Sequence, residues 1–356
     1  MKVKRCYNID NIYLLNAFVK FNLIKRTDNM KKINWAVMGT GRIAHTFAQA
    51  LKGLEDACLY AVGSRTYDKA RSFADEFGFE KAYGSYDELV KDKDIDIVYI
   101  ATPMSAHYQN TMLCLENSLN VFCEKSAALS GSQLEKMIAL AKEQQLFFME
   151  AMWMKCRPTY LKALEWVRSG RIGKVRYVKA DFCNLVKYDR SDRLFAPECG
   201  GGALLDLSVY PLTLVYDVLG VPKEIISAAH IGADGVDLSD SIMLKYDGAF
   251  ASVDSGFEMP CINRAVISGD KGSIVFADWF FCCCEITLYD SEGNEIERSA
   301  IPNEINGYEY EIREAHRCLR EKAPESTLVP HRSTKDVMSI MDECRRQWSM
   351  KFPGEE

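Results

Sequence analysis

Motifs that bind metal ions or build a disulfide framework are missing from this sequence. Its five histidines are dispersed, and its thirteen cysteines contain no C-x-x-C pair. The only cysteine cluster, Cys282-Cys283-Cys284, is poorly arranged for shared ligation or for bridging. We therefore expect no metal site. An odd number of scattered cysteines also predicts reduced thiols in a cytoplasmic protein.

Excess positive charge and long apolar runs are missing as well. Lys and Arg number 44 against 50 Asp and Glu, a net charge of −6. This balance argues against sequence-independent nucleic-acid binding, although a local basic pocket is compatible with it. The apolar stretch 12–24 is interrupted by Asn16 and Lys20, is too short to span a bilayer, and no cleavage site follows it. Since Met30 resembles a natural start, we expect residues 1–29 to be an extension outside the fold and expect no membrane contact.

The composition fits two ordinary globular domains. Hydrophobic residues make up 48% and charged residues 26% of the 356 positions, which provides enough apolar material for a sizeable core. From residue 33 to residue 150, short apolar runs alternate with amphipathic helical patterns. This α/β alternation is typical of a doubly wound parallel sheet. The strands predicted in this half span 33–38, 58–63, 95–101, 120–123 and 146–149.

After Trp153 the pattern changes to that of an α+β domain, which we place at residues 151–356. Turn pairs such as Asp247-Gly248 and Gly269-Asp270 separate strand patterns, as in hairpins. A large, mostly antiparallel sheet is predicted, with helices on one face and the last helices free to pack back on the first domain. Its uncovered face predicts a homodimer through the sheet. The predicted strands span 175–183, 224–231, 240–246, 250–257, 264–268, 273–277 and 285–289, and an apolar helix spans 203–219.

A glycine turn after the first predicted strand is the most informative local motif. Residues 35–44 read W-A-V-M-G-T-G-R-I-A, an apolar strand followed by Gly39-x-Gly41-x-x-Ala44 and an amphipathic helix. Such a turn presents backbone N–H groups and the positive end of a helix dipole to a dinucleotide pyrophosphate. The alternative is a glycine turn that binds nothing. We predict a dinucleotide-binding Rossmann domain over residues 30–150, with contacts at Gly39, Thr40, Gly41, Arg42 and Ile43.

The end of the second predicted strand bears on which dinucleotide binds. Sites that prefer NAD usually place Asp or Glu there, to accept a hydrogen bond from the ribose 2′-hydroxyl. This chain has Ser64 and Arg65 instead, a hydroxyl and a guanidinium that suit a 2′-phosphate. NADP is therefore the expected cofactor and NAD remains possible. The alternative is a solvated surface arginine without a ligand.

Two further motifs give the chain a resemblance to a known family. Ala101-Thr102-Pro103 is followed by His107, and Glu124-Lys125 ends a later strand. With these motifs the sequence resembles, from about Lys32 to the C-terminus, the Gfo/Idh/MocA oxidoreductases, typified by glucose-fructose oxidoreductase and inositol 2-dehydrogenase. Ser126 stands where the family has a proline that helps to hold the lysine's loop. The resemblance implies cofactor contacts at Thr102, Pro103, His107, Glu124 and Lys125.

The second half resembles one branch of this family, the dimeric dihydrodiol dehydrogenases. Its matching motifs are Glu150-Ala151-Met152-Trp153 and residues 200–211, G-G-G-A-L-L-D-L-S-V-Y-P, which contain Asp206 and Tyr210. Inositol-dehydrogenase-like members carry Asp-x-x-x-His at that place, and Lys155 stands where the branch commonly has arginine. The resemblance implies that Lys125 and Tyr210 are catalytic, and that Trp153, Lys125 and Tyr210 contact the substrate.

The spacing of Asp206 and Tyr210 has a physical interpretation of its own. Four residues apart on one predicted helix, both side chains can face the same cleft. A tyrosine with a pKa near 10 is a poor proton shuttle, but a nearby ammonium favours the phenolate and lowers that pKa. We expect Lys125 to supply this ammonium, with Asp206 catalytic or orienting. Alternatively, Lys125 is a solvated lysine at a strand end, Tyr210 is a core or interface residue, Trp153 is a core residue, and His107 only caps its helix.

Together these features predict an NADP-dependent oxidoreductase. It would transfer a hydride between nicotinamide and a hydroxyl or carbonyl of a small polyhydroxylated substrate, such as a sugar, cyclic polyol or trans-dihydrodiol. One alternative is an NAD-dependent glycosidase that recycles its cofactor. Another is a non-catalytic protein that senses a sugar or a nucleotide.

Overall fold

Six parallel strands form the first of two sheets in the computed structural model, which describes residues 31–353. The predicted extension, residues 1–29, lies outside the described residues. In chain order the strands are β1 (Ile33–Met38), β2 (Ala57–Gly63), β3 (Lys81–Tyr83), β4 (Ile97–Ile100), β5 (Asn120–Glu124) and β6 (Phe148–Ala151). Their spatial order is β3-β2-β1-β4-β5-β6, which confirms the predicted doubly wound sheet. The order reverses between β1 and β4, where such sheets open a ligand crevice.

Helices connect these strands and close the core of the first sheet. They are α1 (Arg42–Lys52), α2 (Tyr67–Phe77), α3 (Tyr86–Leu89), α4 (His107–Glu116) and α5 (Gly131–Glu143). Trp35 of β1 is fully buried and packs edge-on against Phe47 of α1, with 5.3 Å between ring centroids, and against Phe122 of β5 at 5.8 Å. This aromatic packing keeps the end of β1 and the start of α1 in a defined position.

Eight strands form the second sheet. They are β7 (Val175–Cys183), β8 (Glu224–Ile231), β9 (Asp237–Tyr246), β10 (Ala249–Gly256), β11 (Ala265–Gly269), β12 (Gly272–Phe276), β13 (Glu285–Asp290) and β14 (Glu295–Ala300). The order is β14-β13-β12-β11-β7-β10-β9-β8, and only the β7–β10 pair is parallel. The predicted, mostly antiparallel sheet is confirmed.

One face of the second sheet is covered by helices. These are α6 (Pro158–Arg168), α7 (Val209–Leu219) and α9 (His331–Trp348), which contact β13, β7 and β8, respectively. The opposite face carries exposed Ile226, Met243 and Phe250. Phe250 pairs across the strands with Tyr177, with ring centroids 4.6 Å apart. This face is therefore partly apolar.

The last helices pack against both halves of the chain. In α8 (Glu309–Glu321), His316 accepts a hydrogen bond from the Trp35 indole at 2.8 Å and contacts the Asp56 carboxylate at 2.9 Å. Arg320 donates to the same carboxylate at 2.7 Å. These bonds join α8 to the first sheet.

Several predicted elements differ from the structure. The strands β3 and β14 were not predicted, because β3 has three residues and β14, E-I-E-R-S-A, is a charged edge strand. Edge strands lack the apolar alternation that identifies a half-buried strand. The predicted helix 203–219 begins as a π-helix at Leu204–Ser208 before α7.

One helical stretch passes a length-and-composition test for a membrane span among the described residues. This stretch is Pro197–Leu219, and most of it is buried inside the fold. Its apolar side chains pack in the core against β7 and β10 of the second sheet and against α9. Within residues 31–353, no three His, Cys, Asp or Glu residues are grouped to hold a metal ion.

Candidate active site

Gly39 and Gly41 shape the turn between β1 and α1. Gly39 has a φ of 103°, and a Cβ there would lie 2.8 Å from the carbonyl oxygen of Ala101, so only glycine fits. Gly41 is the N-cap of α1, where no side chain caps the helix and no acidic residue occupies the first turn. A Cβ at Gly41 would meet no atom within 4 Å. The start of α1 thus lacks a capping side chain and has free space beside Gly41, which fits a dinucleotide pyrophosphate at this helix N-terminus.

The end of β2 lies beside this turn. The Gly39 N–H donates to the carbonyl of Gly63 at 2.9 Å, which joins the turn to the last residue of β2. Ser64 is buried there and Arg65 is exposed, so a guanidinium is accessible next to the glycine turn. The other predicted contacts at the turn are the half-buried Thr40 and Ile43 and the exposed Arg42.

His107 links the loops that follow β4 and β5. It is buried, with its Nδ1 2.9 Å from the Ser126 carbonyl and its Nε2 3.0 Å from the Thr102 carbonyl. Burial lowers the pKa of His107 to about 4, although both carbonyl contacts work in the opposite direction. At neutral pH the imidazole is therefore neutral, and its single N–H donates to one of the two carbonyls, while the ring lies between the two loops. Pro103, also predicted to contact the cofactor, is exposed next to Thr102.

The loop of Lys125 is anchored although it lacks the family's proline. Ser126 is fully buried, and its hydroxyl donates a hydrogen bond to the Leu205 carbonyl at 2.9 Å. The Lys125–Ser126 peptide bond is cis. Together with the His107 contact, these hydrogen bonds hold the lysine's loop against the helical segment that carries Asp206.

The predicted catalytic residues lie together in the structure. The Lys125 ammonium donates to the Asp206 backbone carbonyl at 2.6 Å and to Asp206 Oδ1 at 3.1 Å. It also lies 5.0 Å from the ring centroid of Tyr210. Arg193 contacts the same Oδ1 at 3.4 Å. Although burial raises the pKa of the Asp206 carboxyl, the charges of Lys125 and Arg193 outweigh it and hold that pKa below its usual range.

The predicted lowering of the Tyr210 pKa is wrong. Burial raises this pKa well above its usual value, and the negative charge of Glu124 adds to the effect. The Lys125 ammonium lies over the ring and is hydrogen-bonded to Asp206. The Tyr210 oxygen instead accepts a hydrogen bond from the Trp153 indole at 3.1 Å. Tyr210 is therefore a phenol at neutral pH, with its proton available for donation.

Two buried carboxyl groups lie on the inner side of this cluster. Glu124 accepts a hydrogen bond from the Tyr99 hydroxyl, and burial raises its pKa to about 7. Glu311 of α8 is fully buried, and no described residue donates a hydrogen bond to its carboxyl oxygens. Burial, followed by the charge of Glu124, raises the pKa of Glu311 well above its usual value. Burial therefore reduces the negative charge that these groups carry beside Lys125, although Glu124 stays partly ionised at neutral pH.

Aromatic side chains surround Tyr210. Trp153 stacks on Tyr308 with ring centroids 4.6 Å apart, and Phe281 lies 4.9 Å from Tyr210 and 4.3 Å from Phe182. Trp153 is thus part of the site. Trp279 is more peripheral: it is 45% exposed and has a φ of 59°.

Some of these neighbours carry no signal in the sequence. Isolated aromatic residues such as Phe182, Phe281 and Tyr308 are read as core, and Arg193 occurs in a loop without a motif. Lys155, which stands where the branch commonly has arginine, is buried and donates to Asp217 and to Ser333, each at 2.7 Å.

A dinucleotide turn beside an ammonium, a phenol and a carboxylate defines a class of protein, the nicotinamide-dependent oxidoreductases. Two family profiles match the chain. One, described as an oxidoreductase family with an NAD-binding Rossmann fold, covers residues 33–152, and the other, the GFO/IDH/MocA C-terminal domain, covers residues 160–275. The chain belongs to the GFO/IDH/MocA oxidoreductase family.

Proteins of known activity match most of its length. The trans-1,2-dihydrobenzene-1,2-diol dehydrogenase of Xenopus tropicalis is 32% identical, over 90% of this chain and 99% of that protein. A D-xylose 1-dehydrogenase (NADP(+)) of Hypocrea jecorina is also 32% identical, over 91% of this chain and 94% of its own. A 3-ketoreductase from Actinomadura kijaniata, solved in complex with NADP and TDP-benzene, has the same fold. Its TM-score is 0.80 at 24% identity, over 89% of this chain and 98% of that one.

Proposed function

We propose that this oxidoreductase uses NADP to interconvert a hydroxyl and a carbonyl group on a small polyhydroxylated ring, such as a sugar, cyclic polyol or trans-dihydrodiol. The observation that carries the proposal is the position of the Lys125 ammonium, between the Asp206 carboxylate and the face of Tyr210, at the carboxyl end of β5. The relatives' activities support this substrate class, and neither the glycosidase nor the sensing alternative has comparable support.

Tyr210, Lys125 and Asp206 would each have a separate role in the reduction of a carbonyl. A bound reduced nicotinamide supplies the hydride. Tyr210 donates its phenolic proton to the substrate oxygen, so that the carbonyl becomes a hydroxyl. Lys125 stabilises the negative charge that develops on that oxygen, and Asp206 holds the ammonium in place. Oxidation uses the same groups in the opposite direction.

The cofactor preference is supported by residues at the end of β2. A buried hydroxyl at Ser64 and an exposed guanidinium at Arg65 flank the glycine turn, where the 2′-phosphate of NADP would carry its charge. The Hypocrea jecorina relative is named as NADP-dependent. The turn itself fits either dinucleotide.

The aromatic surroundings of Tyr210 support a ring-shaped substrate. Flat side chains such as Trp153 and Phe281 can pack against the apolar face of a sugar or dihydrodiol ring. Lys125 and Tyr210 would then contact the ring's reacting oxygen. A screen of sugars, polyols and dihydrodiols, followed by the absorbance of NADPH, would identify the ring.

The substitution Lys125→Met tests the proposed chemistry. We expect turnover to fall at least 100-fold, because removing one group that stabilises developing charge costs about 10²–10³ in kcat. NADPH binding should persist, as measured by quenching of protein fluorescence. Unchanged turnover in this variant would exclude the proposed role of Lys125.

We further propose a homodimer through the open face of the second sheet. Ile226, Met243 and Phe250 are exposed on this face, and a partner would bury them. Light scattering at micromolar concentration should give twice the chain mass, and Phe250→Asp should give a monomer. Tyr67→Ser, at an exposed residue that begins α2 of the first domain, is the matched control and should leave the dimer intact. A monomeric wild type would end this proposal.

A cytoplasmic location is also proposed. Every described cysteine is a free thiol, and free thiols persist in reducing compartments. Fractionation of cells that express the tagged chain would test it, and recovery from a secreted fraction would contradict it.

A further inference from the structure

Arg193 shares the Asp206 carboxylate with Lys125. Its Nη1 lies 3.4 Å from Asp206 Oδ1, the same oxygen that accepts from Lys125 at 3.1 Å. One carboxylate oxygen thus lies between two cations. The Lys125 side chain is 13% exposed and that of Arg193 is 49% exposed, so Arg193 approaches Asp206 from the solvent side.

The loop that carries Arg193 is anchored beside Asp206. Arg193 begins a 3₁₀ turn whose N-cap, Asp192, accepts a hydrogen bond from the Leu194 amide at 3.0 Å. Two residues after Arg193, Phe195 is buried and packs against Phe257, with ring centroids 5.8 Å apart. The turn therefore has a fixed position although its arginine is half-exposed.

The glycines that precede Asp206 hold this turn in close contact with the helical segment. A Cβ at Gly201 would lie 2.7 Å from the carbonyl oxygens of Arg193 and Leu194. The Gly202 amide donates to the Leu194 carbonyl at 3.0 Å. Since a side chain at Gly201 would displace the turn, the glycine run sets the distance between Arg193 and Asp206.

The charges around Asp206 do not balance without a ligand. Lys125 and Arg193 contribute two positive charges and Asp206 one negative charge. Nearby Glu124 has a pKa raised by burial to about 7, and Tyr210 is a phenol. Glu124 is therefore only partly ionised at neutral pH and offsets part of one positive charge, which leaves the groups in contact with Asp206 net positive where the substrate oxygen becomes negative. Two of the three ammonium hydrogens of Lys125 go to Asp206, which leaves one for the substrate.

We propose that Arg193 is a positioning residue for the reaction: it shares Asp206 with Lys125, so that the lysine is oriented by the carboxylate without being neutralised by it. The proposal rests on the proposed function, in which Lys125 stabilises the reacting oxygen. The competing interpretation is that Arg193 only stabilises its loop.

The test compares Arg193→Met with Arg190→Met. Arg190 is on the same loop, is 48% exposed, pairs with Asp234 at 3.0 Å and with Glu198 at 3.6 Å, and donates to the Phe195 carbonyl at 3.3 Å. It therefore supports the same turn, but among the described contacts it forms no pair with Asp206. We expect Arg193→Met to lower kcat about 10-fold, less than the loss of a direct oxyanion donor, with an unchanged NADPH affinity. Arg190→Met should leave kcat at the wild-type value, and Arg193→Lys should restore most of it.

Two further measurements separate positioning from loop stability. The acidic limb of the kcat pH profile should move to higher pH in Arg193→Met, since losing this cation raises the pKa of Asp206. The charged and titratable groups that face Asp206 are Lys125, Arg193, Glu124 and Tyr210. In an Asp206→Asn background, the Arg193→Met substitution should have no additional effect on kcat.

Specific outcomes would overturn the inference. These are an unchanged kcat in Arg193→Met, an equal loss in Arg190→Met, or a full Arg193→Met effect in the Asp206→Asn background. If Arg193→Met does not fold, Arg193→Gln is measured in the same way. Full turnover by Lys125→Met would instead contradict the proposed function, whereas an inactive Lys125→Met beside a fully active Arg193→Met contradicts only this inference.

Discussion

Trp153 donates its indole N–H to the hydroxyl oxygen of Tyr210 at 3.1 Å. Because the oxygen accepts this bond, the phenolic proton of Tyr210 is directed elsewhere. Trp153 also stacks on Tyr308 of the segment before α8, so its ring is held from the other side. The proton donor of the proposed reaction is therefore oriented by a residue of the β6–α6 connection.

Substitution of Trp153 by Phe should impair proton donation by Tyr210. It removes the indole donor, which lowers the Tyr210 pKa, while keeping an aromatic ring. Loss of one hydrogen bond worth about 1 kcal/mol corresponds to a roughly fivefold lower kcat. Steady-state kinetics at saturating NADPH would measure it. Trp279→Phe is the control, and an unchanged kcat in Trp153→Phe would refute the role.

The two glycines of the turn should respond differently to alanine. Gly39→Ala combines a positive φ with a Cβ 2.8 Å from the Ala101 carbonyl oxygen, so the free energy of unfolding should fall by about 2 kcal/mol. Gly41→Ala meets no atom of the protein and should fold normally. It should nevertheless weaken NADPH binding, because the methyl group occupies the space proposed for the pyrophosphate. Urea unfolding and dinucleotide titration measure the two effects, and tight NADPH binding by Gly41→Ala would contradict the assignment.

Arg65→Asp should change the choice of dinucleotide. Charge-assisted hydrogen bonds to a phosphate contribute about 1.5–3 kcal/mol, so the NADPH dissociation constant should rise about 10- to 100-fold. NADH affinity should change little, since NADH has no 2′-phosphate. Arg42→Ser, at the start of α1, is the comparison and should affect both dinucleotides alike. Equal losses in Arg65→Asp would defeat the assignment of NADP.

Stability should depend on pH through His107. Its pKa of about 4 lies below the usual 6.5 because of burial, so between these values the unfolded chain binds a proton that the folded protein does not. The contribution of His107 to the free energy of unfolding is therefore present above pH 6.5 and declines as pH falls to 4, by about 3 kcal/mol. Urea unfolding between pH 4 and pH 7 measures this slope.

The His107→Gln variant isolates that effect. It retains a polar side chain between the Thr102 and Ser126 carbonyls, and its unfolding free energy should vary less with pH. If His107→Gln and the wild type had the same slope, another group would be responsible.

Much of the fold and part of the site could be predicted from local sequence. The apolar runs before Gly39 and after Ile95 predicted buried parallel strands, and the strand order agrees with that prediction. Lys125, Asp206 and Tyr210 were identified through motifs, and they do lie together. The charged edge strand β14 was missed because an edge strand needs no continuous apolar pattern.

Contiguous residues determined the glycine turn, the alternation of helices with strands and the chemical types of the candidate catalytic groups, because periodicity and turn conformation depend on near neighbours. Only the tertiary structure decided how these groups act on one another. It set Arg193 beside Asp206, turned the Lys125 ammonium toward the ring of Tyr210 and raised the pKa of that tyrosine. Charge and desolvation act over distances between side chains, and these distances are set by how the two sheets pack.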